Sequence, residues 1–370
     1  MNKKIITVGG ATTDTFIKYE DSETLKISNK TGTRSFLLLE YGGKLEVKDL
    51  NYYTGGGGTN SAVSFSRLGF EASTICKVGK DSGGERILEK LRAEKVNTDH
   101  VVISEKGKSG RSFIIPSFES DRTIFAYRGI TTSLQITDIS EKLIKNNNFL
   151  YVTSLSGKSS KIFKTLVQKA KKLGLQVATN PGISQLRDGA TTLADALKFV
   201  DIFILNSSEA KQFMRSLLEN DYIQSSKSKE KCGLRKKDGP ELFQSFTCYE
   251  DIHFNLGHFF KDILSRGPKT VVVTNGSEGV YVANKKNVFF CPSPDVNVVN
   301  TLGAGDAFGS CFSAQIFDGR TIEESITKGV INACSVIEYE DAKIGLLTKT
   351  ELEKKFNKIN TKLIQRSSLE

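Results

Sequence analysis

Short runs of β-branched and aromatic residues alternate with helix-period segments along most of this chain. Apolar runs at residues 4–8, 73–78, 149–153, 176–179, 201–205, 270–274 and 279–283 predict strands. Between them, apolar residues recur at helical spacing, as in Ile162, Phe163, Leu166, Val167, Ala170 and Leu173. Ser82-Gly83-Gly84-Glu85 has the form of a capping box and opens a helix through Ile87, Leu88 and Leu91. Thr321-Ile322-Glu323-Glu324 repeats the form ahead of Ile326, Val330, Ala333 and Ile337. Alternation of this kind predicts an α/β fold, with a mostly parallel sheet covered by helices on both faces.

Two stretches break the rhythm. Residues 16–52 and 109–128 read as extended segments, through Phe36-Leu37-Leu38-Leu39, Arg111-Ser112-Phe113-Ile114-Ile115 and Thr123-Ile124-Phe125-Ala126-Tyr127. They are expected to pair into a small separate sheet. Residues 216–255 are polar and lysine-rich and read as an insertion carrying Cys232 and Cys248. There is no internal repeat.

Composition narrows the class. The chain has 370 residues, 38% of them apolar and 25% charged, which suits a packed core in one domain spanning 1–370. No window approaches the roughly 18 apolar residues of a membrane span. The first apolar run, Ile5, Ile6 and Val8, stops at Gly9, so it reads as a strand rather than a leader, and the expected location is the cytoplasm. The six cysteines form no CxxC pair and the three histidines no HExxH, so structural zinc has little support. The net charge of +10 is partly carried by Lys158, Lys161, Lys164, Lys169, Lys171 and Lys172. They mark the solvated side of an amphipathic helix without the interleaved aromatics of a nucleic-acid surface. Neither a nucleic-acid nor a membrane partner is expected. A positive field suits anionic substrates.

The candidate chemistry lies near the C-terminus. Residues 296–301 have a strand pattern and run into Gly303-Ala304-Gly305-Asp306, followed by a helix with Ala307, Phe308, Cys311, Phe312 and Ile316 on one face. A glycine turn at a helix start aims backbone N–H groups at an anion. Asp306 in the first turn either takes a proton from an attacking hydroxyl or complements the helix end, and spacing alone leaves both open. Ser156-Gly157-Lys158-Ser159 looks like the end of a P-loop, but Val152 occupies the place of its first glycine.

The stretch Asn300-Thr301-Leu302-Gly303-Ala304-Gly305-Asp306-Ala307-Phe308 resembles the D-T-x-G-A-G-D-x-F signature of the ribokinase, or PfkB-type, carbohydrate kinases. Gly55-Gly56-Gly57-Gly58-Thr59-Asn60-Ser61-Ala62 resembles their GGxGxNxA, with Arg67-Leu68-Gly69 and Val78-Gly79-Lys80-Asp81-Ser82-Gly83-Gly84 following in order. Asn206-Ser207-Ser208-Glu209 matches N-x-x-E, and Thr274-Asn275-Gly276-Ser277-Glu278-Gly279 matches T-x-G-x-x-G. The resemblance implies a ribokinase-like three-layer sandwich with a small β lid, and ATP-dependent transfer to a sugar hydroxyl. It implies Asp306 as the base, with the N–H groups of Gly303, Ala304 and Gly305 as the anion hole. It implies Asp14, Gly56, Gly58 and Asn60 as sugar contacts. Asn206 and Glu209 are implied for Mg²⁺ and phosphate, and Thr274, Gly276, Gly279 and Asn332 for ATP. Asn206 and Glu209 are equally placed to cap a helix. Arg111 and Arg128, in or beside the lid, are candidate clamps for an anionic acceptor.

Departures matter too. Asn300 replaces the signature's leading aspartate, which in relatives supports a monovalent-cation site, and this puts dependence on K⁺ in doubt. Ser154-Leu155-Ser156 stands where ribokinases place an acidic ribose contact. Two other functions stay open: a nucleoside kinase with Phe113, Phe125 or Tyr127 under the base, and a non-catalytic sugar- or nucleotide-binding regulator. Lid pairing in the family implies a homodimer.

Overall fold

The computed structural model describes residues 3–19, 23–29, 32–116, 122–220, 247–249, 252–358 and 363–369. A nine-stranded sheet forms its centre. Six strands run parallel, in the order Thr270–Thr274, Ile202–Asn206, Gln176–Thr179, Phe149–Val152, Lys4–Val8 and Glu71–Ile75. Val280–Ala283, Asn287–Cys291 and Gln365–Ser368 extend one edge antiparallel. The parallel strands are buried at almost every position because both faces are covered. Ile6, Val8, Val271 and Val273 pack against helices on one side, among them Phe163–Lys172, Ser207–Glu219 and Leu256–Ser265. Ile5 and Val272, of opposite parity, meet helices Gly57–Arg67, Ala304–Phe317 and Ile322–Ile337 on the other. The result is the expected three-layer α/β sandwich.

The small second sheet is also present. Its order is Arg122–Tyr127, Gly110–Pro116, Thr12–Lys18 and Asp49–Gly55. It is tied to the central sheet at Gly9-Gly10-Ala11, where the first strand ends, and at Gly55-Gly56-Gly57, where helix Gly57–Arg67 begins. It therefore stands over the C-terminal ends of the parallel strands, where ligands of open α/β sheets bind. Glu340 docks it there, accepting from Asn51 Nδ2 at 3.1 Å and Tyr53 Oη at 3.2 Å, with Lys18 Nζ at 3.0 Å.

Several expectations need correction. The lid begins at Thr12, not 16, and Glu23–Asn29 pairs with Gly32–Leu38 in a two-stranded ladder outside the lid sheet. The run 73–78 divides into Glu71–Ile75 and Lys77–Gly79. The predicted strand 296–301 is irregular coil, because Val298 and Val299 are 40% and 47% exposed and find no strand partner. Helix Ser82–Ala93 is capped by Asp81, whose carboxylate accepts from Gly84 N–H at 2.8 Å, rather than by a Ser82 capping box. The lysine-rich segment begins as a 3₁₀ turn, Gly157–Ile162, before the α-helix. Most of the expected insertion 216–255 lies outside the described residues. Among the described residues, no helix is long and apolar enough to cross a membrane.

Candidate active site

The signature turn adopts the geometry its glycines allow. Gly303 has φ +84°, and a Cβ there would overlap Ala342 Cβ. Helix Ala304–Phe317 starts at once, with no side chain capping it. The Ala304 N–H turns to the Thr301 carbonyl at 3.3 Å, which leaves the N–H groups of Gly305 and Asp306 as first-turn donors without an intrahelical acceptor. A Cβ on Gly305 would meet nothing within 4 Å, so this helix start opens onto free space.

Asp306 is half-buried in that first turn. Asn60 Nδ2 donates to its Oδ2 at 2.8 Å. Burial pushes the carboxyl up, while the Asn60 bond and the charge of Lys343 pull it down, leaving it raised. The glycine run lies between Asp306 and a second carboxylate. A Cβ on Gly57 would stand 3.1 Å from Asp306 Oδ1, and one on Gly55 would overlap Asp14 Oδ2. Asp14 is 7% exposed. Burial raises its carboxyl as well, against a hydrogen bond from Ser112 and the charge of Lys343. Gly56 needs its φ of +95° to pass under Gly10. Gly58 is buried, and its N–H donates to the Gly10 carbonyl at 3.1 Å, so its role here is packing of helix against strand.

A cavity of about 620 Å³ adjoins this centre. Asn206, Thr274, Gly276 and Gly279 line it together with Thr301, Ala304 and Gly305. Phe308, Val330, Ala333 and Ile337 supply apolar wall. Gly279 has φ +121°, and a Cβ there would overlap the Cys291 carbonyl. Asn206 and Glu209 form the reciprocal capping box, with both bonds at 2.8 Å. Burial raises Glu209 against the bond from Asn206 N–H, and the charge of Asp306 adds to the rise.

Three sequence-derived positions move away from the site. Asn332 is fully buried; its Nδ2 donates to the Ala307 carbonyl at 3.0 Å and its Oδ1 accepts from Leu347 N–H at 3.0 Å, so neither end reaches the cavity. Arg111 pairs in register with Thr13 and hydrogen-bonds Thr13 Oγ1 at 3.4 Å, on the lid face opposite Asp14 and Ser112. Arg128 is exposed just beyond the last lid strand. The arginine that does reach across is Arg122. It shares a lid face with Ile114 and Ser112, and its Nη1 donates to Thr301 Oγ1 at 2.6 Å, beside the signature turn. The register of the two strands, Arg122 opposite Pro116 and Tyr127 opposite Arg111, is what separates it from Arg111. Lys343 was missed without any sequence signal. It is fully buried, and its Nζ donates to Asn60 Oδ1 at 2.6 Å.

With the geometry in hand, the chain matches the pfkB family of carbohydrate kinases over residues 27–237 and 251–349. It belongs to that family. It is thus a phosphotransferase with an alcohol acceptor, on a ribokinase-like fold. It is similar to a ribokinase of Staphylococcus aureus, 25% identical over 78% of this chain and 85% of the relative. Among solved structures it resembles Arabidopsis thaliana ribokinase complexed with ribose and ATP, with a TM-score of 0.72, 17% identity and coverage of 97% and 100% of the two chains. Methanocaldococcus jannaschii nucleoside kinase shares the fold at a TM-score of 0.69 and 18% identity, over 96% of this chain and 99% of that one.

Proposed function

We propose that this kinase transfers the γ-phosphate of ATP to a hydroxyl of a sugar or sugar derivative, with Asp306 as general base. The observation that carries the reading is the pair of half-buried or buried carboxylates, Asp14 and Asp306, on either side of a glycine run whose missing side chains leave room for the acceptor. Asp14, with Ser112 beside it, accepts hydroxyl hydrogens and holds the acceptor. Asp306, held in place by Asn60, takes the proton of the attacking hydroxyl; its raised affinity for a proton suits that step. The free N–H groups at the start of helix Ala304–Phe317 face the transferring phosphoryl group and stabilise the charge it gathers. ATP fits the adjoining cavity, with its phosphates toward Gly305 and its base toward the apolar wall.

Magnesium fits this arrangement as a substrate-borne ion. Among the described residues no cluster of three or more metal-ligating side chains occurs. Glu209 spends Oε2 on its cap and keeps Oε1 for water around a cation, which suits an ion bound mainly by phosphates. When bound, Mg²⁺ would neutralise phosphate charge.

The nucleoside reading loses its proposed floor. Phe113, Phe125 and Tyr127 are 39%, 54% and 54% exposed and share the lid face with Arg111, away from Asp14. A panel of sugars, sugar phosphates and nucleosides with ATP, read by ADP release, tests the acceptor. Asp306→Asn is expected to lose about 10²–10⁴-fold in kcat while ATP Kd is kept. Near-normal turnover by that variant would remove Asp306 from the chemistry.

A further inference from the structure

A buried ammonium stands directly behind the candidate base. Lys343 is 0% exposed, and its Nζ donates to Asn60 Oδ1 at 2.6 Å and to the Thr54 carbonyl. Asn60 in turn donates from Nδ2 to Asp306 Oδ2 at 2.8 Å. The direction of this relay is set by chemistry. An ammonium has three donors and no acceptor, so only the amide oxygen of Asn60 can face it. That turns the amide nitrogen toward Asp306. A flipped Asn60 would place NH₂ against ammonium and oxygen against carboxylate, two repulsive contacts in a poorly solvated site.

Burying an unneeded ammonium is costly, and the surroundings are arranged to keep it. Burial brings the Lys343 ammonium down to about 8, the carboxylates of Asp341, Asp14 and Asp306 pull against that fall, and Lys90 adds to it. Arg67 clamps the loop that carries it, donating to the carbonyls of Lys343, Ile344 and Leu346 at 2.8, 3.2 and 2.7 Å.

The residues around Asn300 also do not fit the monovalent cation that the signature's leading aspartate supports in relatives. Asn300 Nδ2 donates to the Glu340 carbonyl at 2.7 Å, and Asn300 Oδ1 accepts from Leu302 N–H at 3.0 Å. A neutral amide thus stands where a charged ligand is expected, and both its ends are already hydrogen-bonded within the chain.

We propose that Lys343 is the fixed cation of this site: a positioning residue that orients Asn60, and through it Asp306, and that removes the need for a bound monovalent ion. The proposal rests on the reading of Asp306 as base, but its test does not need an acceptor. Protein labelled with ¹³C at aspartate carboxyls is titrated as wild type and as Lys343→Met, with the Asp306 signal assigned by its loss in Asp306→Asn. The expected result is an Asp306 titration displaced to higher pH in Lys343→Met, since the amide is free to turn and the positive charge is gone. An undisplaced titration overturns the positioning role. If Lys343→Met does not fold, the wild type still decides. Its Asp306 signal should show a second, smaller step near 8, where burial places the Lys343 ammonium against the pull of Asp341, Asp14 and Asp306. A flat trace there overturns the coupling. Melting temperature should be the same in potassium and tetramethylammonium chloride, and a rise specific to potassium overturns the fixed-cation role. Once an acceptor is found, Lys343→Met should lose about 10–100-fold in kcat, with its acid limb moved to higher pH. If no acceptor is found, the proposed activity falls alone and the titration still judges Lys343.

Discussion

Gly303 and Gly305 lie two residues apart in the same turn, yet the structure gives them opposite reasons for lacking a side chain. Gly303 is required by the fold. At φ +84° a residue with a Cβ costs about 1–2 kcal/mol. That Cβ would also overlap Ala342 Cβ and stand 3.0 Å from its Cα, where carbon atoms normally rest at about 3.5–4.0 Å. Relieving such an overlap adds about 1–3 kcal/mol, so Gly303→Ala should cost about 2–5 kcal/mol in all. On the proposed function, Gly305 is instead required by the ligand. Its φ is ordinary, nothing lies within 4 Å of its ideal Cβ, and it sits inside a helix. Gly305→Ala should therefore stabilise the free protein by about 0.4–1 kcal/mol. The new methyl would stand in the space that the transferring phosphoryl group must enter, and a displacement of about 1 Å there is worth about 10²-fold in rate. Urea denaturation of ligand-free protein and steady-state ADP release separate the two effects. Gly303→Ala should lose stability; Gly305→Ala should gain it while losing turnover. A Gly305→Ala enzyme with normal kcat and ATP affinity would refute the placing of the phosphoryl group over this helix start.

Two further substitutions probe the support of the site. Burial pushes Glu94 up, but its bonds from Arg67 and Lys90 win and hold it at about 2. A depressed carboxyl contributes stability that is present above its ordinary value of 4.5 and is lost as pH falls toward 2. Discounted for solvent screening, that is about 1–3 kcal/mol, so Glu94→Gln should melt earlier at pH 7 and approach wild type only as pH falls to about 2. An equal deficit at both pH values would assign the loss to packing. Asn300→Asp would set a carboxylate against the Glu340 carbonyl and leave that part-buried acceptor without its donor, a cost of about 1–3 kcal/mol. Its melting temperature should fall in tetramethylammonium chloride and recover partly in potassium, and no fall would mean the amide bond contributes nothing.

What could be read in the sequence was whatever constrains the backbone. Buried parallel strands such as Thr270–Thr274 must be apolar on both faces, so they appear as continuous runs. Turns with positive φ at Gly56, Gly279 and Gly303 exclude other residues, so they leave a mark in composition. Side-chain partnerships leave no such mark. Val296 and Val298 alternate with polar residues just as an edge strand would, but they wall a cavity instead of joining a sheet. Apolar contact with a ligand and apolar contact with a core select the same residue types, so the pattern cannot separate them. Asn332 and Asn60 are both buried amides on helices, and only tertiary closure decides that one ties a helix to Leu347 N–H and the other faces Asp306. Lys343 is the limiting case. Its partner Asn60 lies 283 residues earlier, and its neighbours Asp341 and Ala342 form no periodic pattern with it. A lysine in a loop is ordinarily solvated; what makes this one part of the site is the Arg67 clamp on its own carbonyl and the three carboxylates it faces. The surroundings of Asp306 are thus encoded twice: locally by glycines that shape the turn, and at long range by a relay of donors that only the folded chain assembles.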